Sequence, residues 1–172
     1  MTPTTSSAST SRCRWCRIAE RAAPGDPVAT ARALVDAGRY MTIATADADG
    51  RPWATPVWFA HRGYREFIWV SYADARHSCN LAARSEVGIV IFDSTVAPNS
   101  GQAVYLEATA EQLDGLAAEQ AIAVFAERSV EQGLGAWTIA DVSAPGRLRP
   151  YRAIASARYV LGARDERIAA PL

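Results

Sequence analysis

Two runs rich in β-branched and aromatic residues, YMTIATA (Tyr40 to Ala46) and WATPVWFA (Trp53 to Ala60), are separated by Asp47-Ala48-Asp49-Gly50. An Asp-Gly pair between such runs is a strong short-range signal for a β-hairpin. Successive strand residues point to opposite faces, so Trp53, Thr55, Val57 and Phe59 share one side. Pro56 has no N–H to give to a ladder, which predicts an edge position or a bulge for the second strand.

The chain beyond this hairpin keeps the same character. His61 to Arg65 turns it, and Phe67 to Val70 reads as a third strand of the meander. A helix is predicted from about Ala75 to Arg84, with Leu81 and Ala82 on its inner face. Val87 to Phe92 (VGIVIF) is continuously apolar, as in a strand covered on both sides. After a loop at Ser94 to Gly101, the strand Ala103 to Gln112 alternates Val104, Leu106 and Ala108 against Tyr105, Glu107 and Thr109. Asp114 then precedes a helix with Ala117, Ala121, Val124 and Phe125 at helical spacing. Residues 130–146 form an irregular connection, and Leu148 to Leu161 supplies the last strand. Upstream, Ala29, Ala33, Leu34 and Ala37 follow Pro27 at helical spacing, with Gly38 placed as a C-cap. The sum is a mainly β chain of six antiparallel strands with two or three short helices, which favours a closed or half-closed barrel over a parallel sheet.

The 172 residues suit one domain, expected at 27–172, behind a Ser/Thr-rich N-terminal tail (1–26) expected to be disordered. Eighteen basic side chains balance eighteen acidic ones, so no charge excess points to nucleic acid, and no apolar run is long enough to cross a bilayer. Cysteines stand at 13, 16 and 79; the odd count and the lack of a secretory apolar region predict a cytoplasmic protein. Cys13 and Cys16 form a lone C-x-x-C without the further ligands a zinc site needs, and no metal site is expected. Cys79 reads as a small helix residue. His61 lies in a turn without evident partners, and no catalytic triad or carboxylate pair emerges.

The chemistry-bearing stretch is FIWVSYADARHSCNL, Phe67 to Leu81. It reads as strand, turn and helix start, with Asp74 as N-cap and Arg76 and His77 in the first turn. Unpaired N–H groups and the positive end of the dipole suit a phosphate there. By local pattern alone the two cations read first as solvated residues of a surface helix, and the Asp74 carboxylate opposes an anion.

MTIATADADGRPWATPVWFA, then FIWVSYADARHSCNLAARSEVGIVIFD, then VYLEATAEQL, in that order, resembles the pyridoxamine 5'-phosphate oxidase-like group of FMN-binding split barrels. The resemblance covers about Tyr40 to Leu113 and, more loosely, Arg147 to Leu161. It implies a six-stranded antiparallel split barrel of the FMN-binding type, acting as a homodimer with FMN at the subunit interface. Carried over position by position, the phosphate pair falls on Arg76 and His77, with Ser71 before it and Asn80 after it. The ring-lining backbone falls on Thr55, Pro56, Val57 and Trp58, and Gln102 stands near an Arg-Gln pair of the oxidase. His77 replaces the usual lysine, and the C-terminal substrate pattern of the oxidase is missing from Ala153 to Arg167. The implied function is an FMN-dependent oxidoreductase of a small molecule other than pyridoxamine phosphate. Alternatives on the same barrel are a reductase using the 8-hydroxy-5-deazaflavin cofactor and a non-catalytic flavin-binding or sensor protein.

Overall fold

The computed structural model describes residues 25–171. The expectations for the tail up to residue 24, including Cys13 and Cys16, lie outside the described residues. Helix α1 (Pro27–Ala37) begins where Asp26 accepts a hydrogen bond from the Val28 N–H at 2.9 Å, with Pro27 opening its first turn. It buries Ala31 and Val35 completely in the core. Gly38 ends it in an extended conformation, so its smallness matters through contact: a Cβ there would sit 2.9 Å from both Ile91 Cγ2 and the Leu34 oxygen.

Strands β1 (Tyr40–Ala46) and β2 (Pro52–Trp58) form the expected hairpin, in register from Tyr40 opposite Trp58 to Ala46 opposite Pro52. Asp47 Oδ1 accepts from the N–H groups of Asp49 and Arg51, and Gly50 turns the chain at φ +85°. The register is unbroken through Pro56, so the proline marks an edge strand and makes no bulge.

Six expected strands are present, and two three-residue strands join them: β3 (Ala60–Arg62) and β8 (Arg167–Ala169). With β4 (Glu66–Tyr72), β5 (Glu86–Phe92), β6 (Ala103–Gln112) and β7 (Leu148–Leu161) they form one antiparallel sheet ordered β2-β1-β5-β6-β7-β4-β3, with β8 beside β7. The meander predicted from sequence does not form. β4 pairs with β7 and β3, and among the described residues no ladder joins β2 to β4. The two edges, β2 and β3, are consecutive in the chain and joined through Phe59, so the sheet curls until they meet at a split.

Double cover falls on β4 instead of β5. Glu66 to Trp69 are all buried, whereas β5 alternates buried and open residues. The reason is α3 (Gly115–Glu131), which packs Ala118, Ala121 and Phe125 over Ile68 and Ala60 on the outside of the barrel. Inside, Met41, Ile43, Phe59, Phe67, Trp69, Ile89, Val104 and Tyr151 form the main core. His61 is not isolated: its Nε2 lies 3.2 Å from Asp36 Oδ1 and its ring stacks on Tyr64 at 4.8 Å, which ties β3 to the end of α1.

Candidate functional site

The strand-turn-helix is built by β4 and α2 (Arg76–Ala83). Its N-cap is Ala75, without a side-chain cap bond; Asp74 turns away to pair with Arg147, whose guanidinium also lies over the Tyr72 ring. The carboxylate expected to cap the helix, and to oppose a phosphate, is thus engaged with a cation of its own. The buried face of α2 is His77, Ser78, Asn80 and Leu81, while Ala82 is exposed. Asn80 Nδ2 donates to Thr45 Oγ1 at 3.0 Å, which in turn donates to the Trp53 carbonyl at 3.3 Å. Asn80 therefore clamps the helix to the first hairpin.

Neighbours in sequence, Arg76 and His77 part company in space. His77 is only 5% exposed, and its Nε2 lies 2.7 Å from Ser71 Oγ. Burial holds its pKa below the ordinary 6.5, so the ring is neutral at pH 7, with one nitrogen carrying hydrogen and the other accepting. The Ser71 hydroxyl can serve either tautomer. Arg76 is exposed, with its guanidinium 4.4 Å above the centre of the Trp53 ring.

Beside the split lies a cleft of about 560 Å³, within the range of small-molecule sites. Thr55, Pro56, Val57 and Trp58 of edge strand β2 line one part, and Val70, Ser71, Tyr72, Ala75 and His77 line another. An edge strand leaves a row of N–H and C=O groups unpaired, which a ligand can use as a further strand would. Phe125, Leu134 and Trp137 bring in α3 and the segment after it, and Tyr40 and Leu148 complete the lining. The Trp58 and Phe125 rings meet edge to face at 4.4 Å, and Phe125 meets Trp137 likewise at 5.4 Å. Trp58 Nε1 donates to Gln132 Oε1 at 2.8 Å, and Ser129 Oγ donates to the Gly135 carbonyl at 2.6 Å. These bonds hold the segment after α3 against the barrel.

Six of the nine expected residues, Thr55, Pro56, Val57, Trp58, Ser71 and His77, thus line one cleft. Arg76, Asn80 and Gln102 do not. Gln102 is half-buried just before β6, with its Oε1 buried and unbonded. Leu134 and Trp137 were missed because an irregular segment carries no periodicity to read; only the aromatic residue itself hinted at a buried role.

The cleft suits the ring of FMN better than its phosphate. Its lining is rich in aromatic and apolar residues and free of charged side chains, and Thr55 Oγ1 is buried there without a hydrogen-bond partner. For the phosphate, the start of α2 offers Arg76, which lies over Trp53 outside the cleft lining, and inside the lining the neutral His77 imidazole and the Ser71 hydroxyl. Trp58 serves core and cleft together, whereas Trp69 is fully buried against Tyr151 and belongs to the core alone.

The sequence profile of the pyridoxamine 5'-phosphate oxidase family matches residues 28–160, and the chain belongs to that family. Solved structures agree on the fold. The heme storage protein HutZ from Vibrio cholerae superposes with a TM-score of 0.65 at 21% identity, over 80% of this chain and 97% of that one. A heme binding protein from Mycobacterium smegmatis gives 0.64 at 19% identity over 80% of this chain, which spans 54% of its length. A conserved hypothetical protein from Mycobacterium tuberculosis gives 0.63 at 22% identity, over 83% and 91% of the two chains. No curated protein matches the sequence. Likeness at these identities carries architecture and leaves chemistry to the site. Among the described residues no helix is long and apolar enough to cross a membrane, and no cluster of three or more His, Cys, Asp or Glu is arranged to hold a metal ion.

Proposed function

We propose that this protein is an FMN-dependent oxidoreductase acting on a small molecule, with the isoalloxazine along the open edge of β2 and the phosphate directed to Arg76, Ser71 and the start of α2. The observation that carries the reading is the convergence of Thr55 to Trp58, Ser71 and His77 on one uncharged aromatic cleft. A flavin brings the hydride chemistry with it, so the protein need only bind, orient and shield the ring. The exposed aromatics Tyr40 and Phe92, on outward positions of β1 and β5, fit a second copy of the chain packed over the cofactor. In this reading the protein works as a cytoplasmic homodimer.

Visible absorption of the purified protein, before and after incubation with FMN and dialysis, tests the proposal. Retained flavin absorbance that bleaches with a reduced nicotinamide supports it; a colourless protein whose thermal stability ignores FMN sinks it. The deazaflavin cofactor enters the same titration as a competitor, because its phosphate makes the same demand on Arg76. Flavin retained without turnover would favour the sensor reading. A heme-binding reading is favoured by one specific pair of observations: the cleft is aromatic and uncharged, and two of the solved relatives are named for heme. Retention of a Soret band after hemin addition, with FMN lost on dialysis, would replace flavin by heme.

A further inference from the structure

A second hollow of about 540 Å³ adjoins the cleft and shares Leu134, Trp137 and Leu148 with it. Gly135, Ala136 and Asp141 complete its lining, so its one charged group is a carboxylate. That carboxylate accepts from the Thr138 hydroxyl and N–H, and both bonds hold its pKa below the usual carboxylate range. It stays anionic through neutral pH.

Among the described residues no cation lines the hollow to offset it. The chain has no lysine, so all 18 basic side chains are arginines. The two that flank Leu148 in sequence are directed elsewhere: Arg147 pairs with Asp74 and lies over Tyr72, and Arg149 lines a separate hollow with Asp114 and Glu119, its Nη1 donating to the Gly146 and Leu148 carbonyls, both at 2.6 Å. A phosphate or carboxylate brought here would lose water beside apolar walls and a like charge.

We propose that this hollow is the substrate seat, that it takes a planar aromatic molecule lacking any anionic group, and that Trp137 and Leu134 are its specificity-determining residues. Trp137 presents an aromatic surface already braced by Phe125, and Leu134 is exposed, so both are open to a flat partner. The proposal rests on the flavin reading for the location of the seat beside a cofactor ring. Its content, the selection against anions, rests on the lining alone.

The test is calorimetric titration of the full-length protein with menadione, a neutral quinone, and with pyridoxal 5'-phosphate, a planar ring of similar size bearing a phosphate. FMN is titrated separately. We expect menadione to bind at least about tenfold tighter than pyridoxal 5'-phosphate, and Trp137→Ala to weaken menadione by about tenfold. Leu134→Arg, at an exposed position that leaves folding intact, should reverse the preference. Pyridoxal 5'-phosphate binding the parent protein as tightly as menadione overturns the inference, as does an unchanged preference in Leu134→Arg or no menadione binding at all. If FMN fails to bind while menadione binds with this selectivity, the flavin reading falls and the inference stands; FMN binding without menadione binding sinks the inference alone.

Discussion

The barrel interior and the aromatic flank under α3 use the same kinds of side chain to opposite ends. Inside, Trp69, Tyr151, Phe59 and Phe67 are at most 1% exposed and pack within the main core. On the flank, Trp58 and Trp137 pack edge to face through Phe125 and remain half-open around a cleft. The difference comes from what closes over them. Strands of one curled sheet, with Ala31 and Val35 of α1 and Leu81 of α2, enclose the interior, whereas a single helix and an irregular segment cover the flank. Aromatic content alone therefore marks no site; incomplete cover of aromatic surface does.

The sharpest way to break this contrast is to truncate one tryptophan from each region. Trp69→Ala should cost about 3 to 5 kcal/mol of stability, as for large core truncations, whereas Trp137→Ala should cost about 1 kcal/mol, of the order of an aromatic pair. Chemical denaturation reads both, and equal losses would dissolve the distinction. Next in size, Arg76→Ala should weaken FMN by about 1.5 to 3 kcal/mol, the worth of a charge-assisted contact, with stability unchanged because the residue is exposed. Unaltered affinity in the same titration would move the phosphate elsewhere.

Gln132→Ala probes how the flank is held in place. It removes the acceptor of the Trp58 indole and should cost about 0.5 to 1.5 kcal/mol, with a red-shifted tryptophan emission as the indole becomes wetter. No spectral change would mean that α3 packing alone places Trp58.

The smallest effect concerns acid. The folded pKa of His77 is lowered by burial, so on acidification the unfolded chain takes up the proton first. Stability is full above pH 6.5 and declines as pH falls from 6.5 toward the lower folded value. His61, lowered chiefly by burial and partly offset by Asp36, contributes in the same direction. Comparing melting temperatures of the parent and His77→Gln between pH 7.5 and 5.5 should show a shallower decline in the variant. Parallel curves would assign the acid sensitivity to His61 and other groups.

Much of the fold is legible residue by residue. Period-two alternation in Ala103 to Gln112, the Asp-Gly turn at 49 and 50, and the proline in β2 carried the strand list, the first hairpin and its place at an edge, because each is a local property of the chain. The family followed from the order of those local pieces. β3 and β8 were illegible, since three residues show no period. Pairing was illegible too: β4 looked like the third strand of a meander, yet its partner begins at Leu148. At the site, the sequence supplied Thr55 to Trp58, Ser71 and His77, but it set Arg76 and His77 side by side as a charged pair. It took the packed molecule to show that helical geometry turns one inward to Ser71, where lost water keeps it neutral, and the other outward onto Trp53. Packing alone brought Phe125, Leu134 and Trp137 from beyond β6 to the cleft, because burial and cover are properties of the assembled sheet and helix, which no window of residues contains.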